Sequence, residues 1–454
     1  MYQQQIKSPS ESTHFKVEAE SSKATLAFFF LVLYTISVLI RPHEFSVATQ
    51  KYIFIQIFAI LSFMLTLLTL RPIKLQPQHW LLIGLTPLIM LSAFFNGWGT
   101  GGIYQSERLF TASIIPFFLF TSLVNTPGRQ RLLMWVCLIA AWFMIYNGHI
   151  QQAAFDITRG FGIGIGNSFT VGGPEMRITY LGFFSDPNDL GMFIVMCLPF
   201  SVFLFYTGNI IAKLVTLMTI AAIIYGVYMT GSRGTLLGAM SVIAAYFFIK
   251  RAGAKLILVG ALIAPIAATL LAAFGGITSG ESSAYGRLDA WYDGTQMLLH
   301  NPVFGVGMGN FMDEHGKVAH NSYIHVAAEL GVIGYSLWGG ALILNMLAGY
   351  DLIKKHTDWQ APDDKTQALY DREILVNKAL FYAMIGFMVT AFFLSRQFTL
   401  TMFIFMGMQT ASLVRIIRIR PELAYVFEKR NIFKSIGLAW CIIVAVYLAL
   451  KVGL

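Results

Sequence analysis

Residues 188–229 read NDLGMFIVMCLPFSVFLFYTGNIIAKLVTLMTIAAIIYGVYM. These are two apolar runs, 188–207 and 210–229, parted by a short Gly-Asn break, and Lys213 is the one charge after Asp189. A hydrocarbon core about 30 Å thick asks for about 20 apolar residues per helix, and helices apolar all round belong in lipid or in a packed interior. Outward from this pair the pattern recurs near 25–40, 52–70, 80–95, 109–124, 132–153, 234–249, 254–274, 322–349, 376–394, 397–414 and 436–450, thirteen segments in all. Of the 454 residues, 56% are hydrophobic and 12% charged. Soluble domains carry about 25% charged residues, so an ordinary soluble enzyme, a disordered chain and a disulfide-stapled module are excluded. The expected fold class is all-α: a polytopic transmembrane helical bundle of about 12–13 membrane helices, with an outer loop region of short helices.

Long polar connections fall at 154–187, 275–321, 350–375 and 415–435. No internal repeat divides the chain. Residues 1–24 are polar, lack an apolar core with a small-residue cleavage site, and read as a cytoplasmic tail. Residues 25–274 then form a transmembrane bundle with outer loop 154–187, residues 275–321 an outer loop with an interfacial helix, and residues 322–454 a second part continuous with the first. Counting Lys and Arg on alternate sides gives about 22 against about 10 of the 32. Positive residues concentrate on the cytoplasmic side, so the N-terminus is expected inside and both long loops outside. Thirteen crossings place the C-terminus outside. Cys137, Cys197 and Cys441 lie far apart in apolar runs and read as small buried hydrophobes, without a redox or metal role.

No GxxxxGK[ST], HExxH, CxxC or GxSxG pattern occurs, and GFGIGIG at 160–166 has no preceding strand, so it reads as a flexible loop. The polar residues that interrupt apolar runs gather instead on the expected outer side. Gly231-Ser232-Arg233-Gly234 sits between two apolar segments. Its arginine is either an interfacial residue snorkelling on a tight turn or an anion clamp at a helix start. Tyr285-Gly286-Arg287-Leu288-Asp289-Ala290-Trp291 opens an amphipathic stretch ended by Pro302, with Leu288, Trp291, Met297, Leu298 and Leu299 suited to a helix along the membrane surface. Arg287 there either attracts an anion or pairs with Asp289 or Asp293. His320-Asn321-Ser322-Tyr323 stands at the mouth of the tenth segment, and His325 further along is suited to packing or hydrogen bonding within the bundle. Asp313, Glu314 and His315 read as an acidic loop in preference to a metal site. Ser395-Arg396-Gln397 reads as a hairpin tip or as a third cation for the same outer space. Asp186-Pro187-Asn188-Asp189 reads as a capped helix start whose carboxylates could orient an acceptor or an arginine.

His320-Asn321, nine intervening residues, Gly331, two more and Gly334 is similar to the histidine signature of the bacterial O-antigen ligase family. The order of GSRG at 231–234, the arginine–tryptophan stretch 287–291, an NPxxGxG turn at 301–307 and that histidine also resembles the O-antigen ligase and polymerase superfamily. The likeness is specific over about 231–340 and elsewhere rests on hydropathy. It implies an enzyme of the bacterial inner membrane that transfers a glycan on the periplasmic face from an undecaprenyl-diphosphate carrier to a hydroxyl acceptor. On this resemblance the chain is expected to be an inverting, metal-independent O-antigen ligase acting on lipid A-core, with no cofactor and no nucleic-acid partner. Its partners would be membrane lipid, the lipid-linked donor and a lipid A-core, glycan or protein acceptor. The family's histidine maps onto His320 as catalytic residue and its arginines onto Arg233 and Arg287 as diphosphate-binding residues. Arg396 matches by position on a late helix, and Asn321, Ser232, Asp289 and Tyr323 are candidates for support. The same site would serve an O-antigen or exopolysaccharide polymerase. A lipid-linked oligosaccharide or anion transporter is the alternative of another class, expected to put its charges near the midplane on repeat-related broken helices.

Overall fold

The computed structural model describes residues 24–158, 169–171, 176–252 and 281–453. The tail up to residue 23, the GFGIGIG stretch 160–166, Arg159 and the ninth apolar segment 254–274 lie outside these residues. The first helices are α1 (Thr25–Leu39), α2 (Phe54–Thr69), α3 (Pro77–Phe95), α4 (Thr100–Leu109), α5 (Ile115–Leu123) and α6 (Pro127–Thr158). After strands β1 (Phe169–Val171) and β2 (Met176–Ile178) come α7 (Pro187–Thr207), α8 (Ile210–Met229), α9 (Arg233–Ala252), α10 (Glu281–His300) and α11 (Phe311–His315). The chain ends with α12 (Ser322–Lys354), α13 (Asp364–Thr390), α14 (Leu400–Ile419) and α15 (Lys429–Gly453). Among the described residues, 8 helices are long and apolar enough to cross a membrane, and Thr25–Leu39, Phe54–Thr69 and Arg233–Phe247 are shorter apolar ones. The chain is an all-α polytopic membrane protein, as its hydropathy requires.

Element ends follow capping chemistry where they depart from hydropathy. The polar connection 350–375 is largely helical, because α12 continues to Lys354 and Asp363 starts α13 by accepting from the Thr366 N–H at 2.9 Å. Polar residues do not stop a helix; caps and prolines do. The segment near 109–124 is one helical run from Thr100 to Leu123 with a π turn at Phe110–Ile114. The connection 154–187 contains an unexpected strand pair, β1 antiparallel to β2 with Phe169 opposite Ile178.

Burial orders the bundle. The most apolar windows of α14 and α7 are 83% and 78% buried, whereas those of α8 and α15 are 28% and 33% buried. Among the described residues, the first two are the centre of the bundle and the last two its periphery. Cys441, on α15, is accordingly exposed, contrary to the expectation of burial, while Cys137 and Cys197 are buried. Small residues let the central helices approach closely, as is usual for helices packed in membranes. A Cβ at Gly191 of α7 would fall 1.9 Å from Thr235 Oγ1 of α9, and one at Gly238 of α9 would fall 2.6 Å from Thr390 of α13. Buried amides find partners across helices. Asn345 of α12 accepts from Gln78 of α3 and Thr410 of α14, both at 3.0 Å. The 33-residue α12, about 50 Å long at 1.5 Å per residue, runs from Ser322 beside His320 to Lys354 at the opposite end.

Candidate active site

Four chain segments meet at the Ser322 end of the bundle. The first is the start of α7, where Asp186 accepts from the Asn188 N–H at 2.7 Å and Pro187 occupies the first turn. The second is the Gly231 turn, with Gly231 at φ +56. Ser232 caps α9 there, accepting from the Thr235 N–H at 3.1 Å and donating to Asn188 Oδ1 at 2.6 Å. These bonds, with the Gly191–Thr235 approach, set Arg233 beside the start of α7. A Cβ at Gly234 would stand 3.0 Å from Phe393, so the same turn abuts the loop between α13 and α14.

That loop carries Arg396 and is fastened to α12. The Ser322 N–H donates to the Ala391 carbonyl at 2.8 Å, Ser322 Oγ donates to the Leu394 carbonyl at 2.6 Å, and the Arg396 N–H donates to Ser322 Oγ at 2.9 Å. Arg396 Nε donates to Asp189 Oδ1 at 2.6 Å, and this bond, with charge from Asp189 and Asp186, holds its guanidinium more firmly protonated than usual. The Asp189 carboxylate thus orients an arginine, one of the two roles open to this run, while Asp186 caps the helix.

The fourth segment is α10. Its Leu288, Trp291, Met297 and Leu298 are buried and Leu299 is exposed, so the apolar face rests on protein. Trp291 Nε1 donates to the Ala319 carbonyl at 2.9 Å. Arg287, one turn earlier on the same face, is thereby carried to the residue next to Ala319, which is His320. His320 has φ +49, a left-handed conformation that side chains of this kind rarely adopt. Asn321 immediately restores the chain, accepting from the Tyr323 and Ile324 N–H groups at 3.0 and 3.1 Å as the cap of α12.

Electrostatics record which groups converge. The His320 imidazole, although partly open to solvent, lies below its usual 6.5, first through burial and then through Arg287, Arg396 and His325, against an opposing pull from Asp186. Arg287 is lowered by burial and by Arg233, again opposed by Asp186. Arg233, Arg287, Arg396 and His320 therefore share one neighbourhood with Asp186. Among the described residues, Arg233 and Arg287 have no hydrogen bond or ion pair, so Arg287 pairs with neither Asp289 nor Asp293.

The four supporting candidates are placed differently. Ser232 and Asn321 spend their oxygens as helix caps. Tyr323 is buried and donates its hydroxyl to the Met388 carbonyl at 2.9 Å, inside the bundle. Asp289 is exposed on another face of α10, where it, Asp293 and His315 each bring a donor atom within 4.8 Å of the others. This trio replaces the Asp313–Glu314–His315 grouping, and because His315 already pairs with Asp293 at 2.7 Å we assign it no ion. Asp289 also borders an 870 Å³ groove between α10 and α15, with Tyr292, Gln296, Tyr447 and Lys451. Gly286 and Leu288, which flank Arg287, line the same groove.

The signature glycines have a backbone reason. Gly331 interrupts α12 at φ 63, ψ −163, a region open essentially to glycine alone. The break lets the 301–307 turn dock main chain to main chain, with the Val332 N–H on the Pro302 carbonyl at 2.7 Å and the Gly307 N–H on the Glu329 carbonyl at 2.9 Å. A Cβ at Gly305 would lie 2.3 Å from the Glu329 carbonyl carbon. Glu329 itself escaped the sequence reading, although its place four residues after His325 on one helix was a usable signal. Its Oε1 meets His325 Nε2 at 2.9 Å.

No curated protein matches the chain. Residues 217–339, which carry Arg233, Arg287, His320 and the Gly331 break, match the family model described as O-antigen ligase, and the match is consistent with a member of the O-antigen ligase superfamily.

Proposed function

We propose that the chain transfers a glycan from an undecaprenyl-diphosphate carrier to a hydroxyl acceptor on the periplasmic side of the bacterial inner membrane, acting as an O-antigen ligase on lipid A-core. The observation that carries this reading is the meeting of His320, held below its usual pKa, with two arginines that form no ion pair among the described residues. A diphosphate is a good leaving group, so the site must chiefly compensate charge as the bond to the sugar breaks. Planar guanidinium forks suit two phosphates, and Arg233 and Arg287 form no ion pair among the described residues. Arg396, tied to Asp189, keeps its terminal nitrogens for the same anion.

The acceptor hydroxyl gives its proton to a ring nitrogen of His320 and its oxygen bonds to the anomeric carbon. The bond from that carbon to the diphosphate oxygen breaks, its electron pair leaves with the diphosphate, and configuration inverts. A histidine pushed below 6.5 is neutral at physiological pH and can accept that proton. The groove beside Arg287 offers tyrosines, amide and lysine to a glycan. The positive-residue count supports this end of the bundle as the periplasmic one.

The test is transfer in isolated membranes with a labelled lipid-linked donor. A single transfer onto core lipid supports the ligase, a ladder on the lipid carrier identifies a polymerase, and no transfer to any acceptor overturns the reading.

A further inference from the structure

Beside Arg396, three side chains are joined in a row that the proposed transfer has not used. Ser395, the residue before Arg396, lies 2.8 Å from His325 Nδ1 through its Oγ. His325 Nε2 lies 2.9 Å from Glu329 Oε1. That same Oε1 accepts the Gly309 N–H at 2.9 Å and the Phe311 N–H at 3.3 Å. His325 is 7% exposed and Glu329 2%, while Ser395 is only half-buried.

With the His325 ring neutral, the direction of every bond in the row follows from these contacts. Two backbone N–H groups already point at Oε1, so that oxygen is an acceptor and His325 Nε2 must carry the hydrogen. In the neutral ring Nδ1 then has only a lone pair, and Ser395 must spend its one hydrogen there. What Ser395 offers to anything outside is therefore lone pairs. Its charged neighbour Arg396, and Arg233 and Arg287, offer only N–H donors. A phosphate oxygen, which has no hydrogen to give, gains nothing from Ser395; a sugar hydroxyl does.

We propose that Ser395 is a fixed hydrogen-bond acceptor for one hydroxyl of the transferred sugar, with His325 and Glu329 as the positioning residues that set its polarity. The arginines would hold the diphosphate and Ser395 would read the sugar attached to it. This rests on the glycosyl-transfer reading.

The test uses the full-length chain in membranes at mildly alkaline pH, with a set of lipid-linked donors each lacking one hydroxyl of the reducing-end sugar. For one donor of the set, the unsubstituted protein should lose about 2- to 10-fold in kcat/KM, the worth of one neutral hydrogen bond. In Ser395→Ala that difference should collapse to about one, with the other donors keeping their ratios. His325→Ala should behave likewise, whereas His325→Asn, whose Oδ1 can stand near the place of Nδ1, should restore the discrimination. Nitrogen-15 NMR of the folded protein should find the His325 hydrogen on Nε2. A hydrogen on Nδ1, or a Ser395→Ala loss equal across all donors, overturns the proposal while leaving transfer intact. Absence of transfer by the unsubstituted protein from any donor overturns the transferase reading and this one with it.

Discussion

Replacing Arg287 with Gln removes a cation that has no ion-pair partner among the described residues, so the loss falls on the ligand and not on a protein salt bridge. A hydrogen bond to a charged group contributes about 1.5–3 kcal/mol, which is about 10- to 150-fold in kcat/KM for the lipid-linked donor. Arg287→Lys keeps the charge and loses the planar fork, and should fall between the two. The same substitution has a second consequence that a purely structural arginine would not have. Arg287 is the largest charged contributor holding His320 below 6.5. A base must be neutral to accept a proton, so activity disappears as pH falls through its pKa. Without Arg287 that pKa rises, and the acid limb of the pH–rate profile should move to higher pH. Rates measured in membranes across the pH range, for the unsubstituted protein and both variants, give both readouts from one preparation. Should Arg287→Gln keep its activity within about twofold and leave the acid limb in place, Arg287 neither holds the donor nor acts on His320.

His320→Ala should lower transfer by about 100- to 10,000-fold, the range of general base catalysis, with an unchanged circular dichroism melt showing that the bundle still forms. Gly331→Ala should cost at least about 1–3 kcal/mol for its backbone region alone, and its Cβ would also stand 2.5 Å from the Val303 carbonyl oxygen; a lower melting midpoint checks it. Asn321→Ala removes both capping bonds of α12 and should cost about 0.5–2 kcal/mol, read in the same melt. Trp291→Phe leaves the Ala319 carbonyl without its partner, at about 1–3 kcal/mol, and should reduce transfer more than it reduces retention of the lipid-linked donor.

The legible part of this molecule was its helical, lipid-embedded nature, and the reason is periodicity without polarity: a run such as 210–229 can satisfy its backbone in lipid only as a helix. His320 and Arg233 were legible as interruptions, since a cation or imidazole at the edge of an apolar run needs a purpose. Tyr323, Ser232 and Asn321 were less legible for a shared reason. Polar residues next to a candidate base have two uses, ligand or backbone, and one sequence does not separate them; here Ser232 and Asn321 cap helices and Tyr323 bonds a carbonyl in the core. The strand pair 169–171 and 176–178 escaped because three-residue strands carry too short an alternation to register.

What the chain alone determined was the set of charged residues that lipid would not tolerate, and the helix starts that hold them, because desolvation and capping act within one turn of sequence. Which of those residues face each other was decided by the fold. Asp189 meets Arg396 across 207 residues of sequence, and Trp291 fixes the backbone beside His320 across 28. Such pairs depend on glycine-sized approaches between helices and on a broken turn at Gly331, contacts whose energy exists only once the helices are packed.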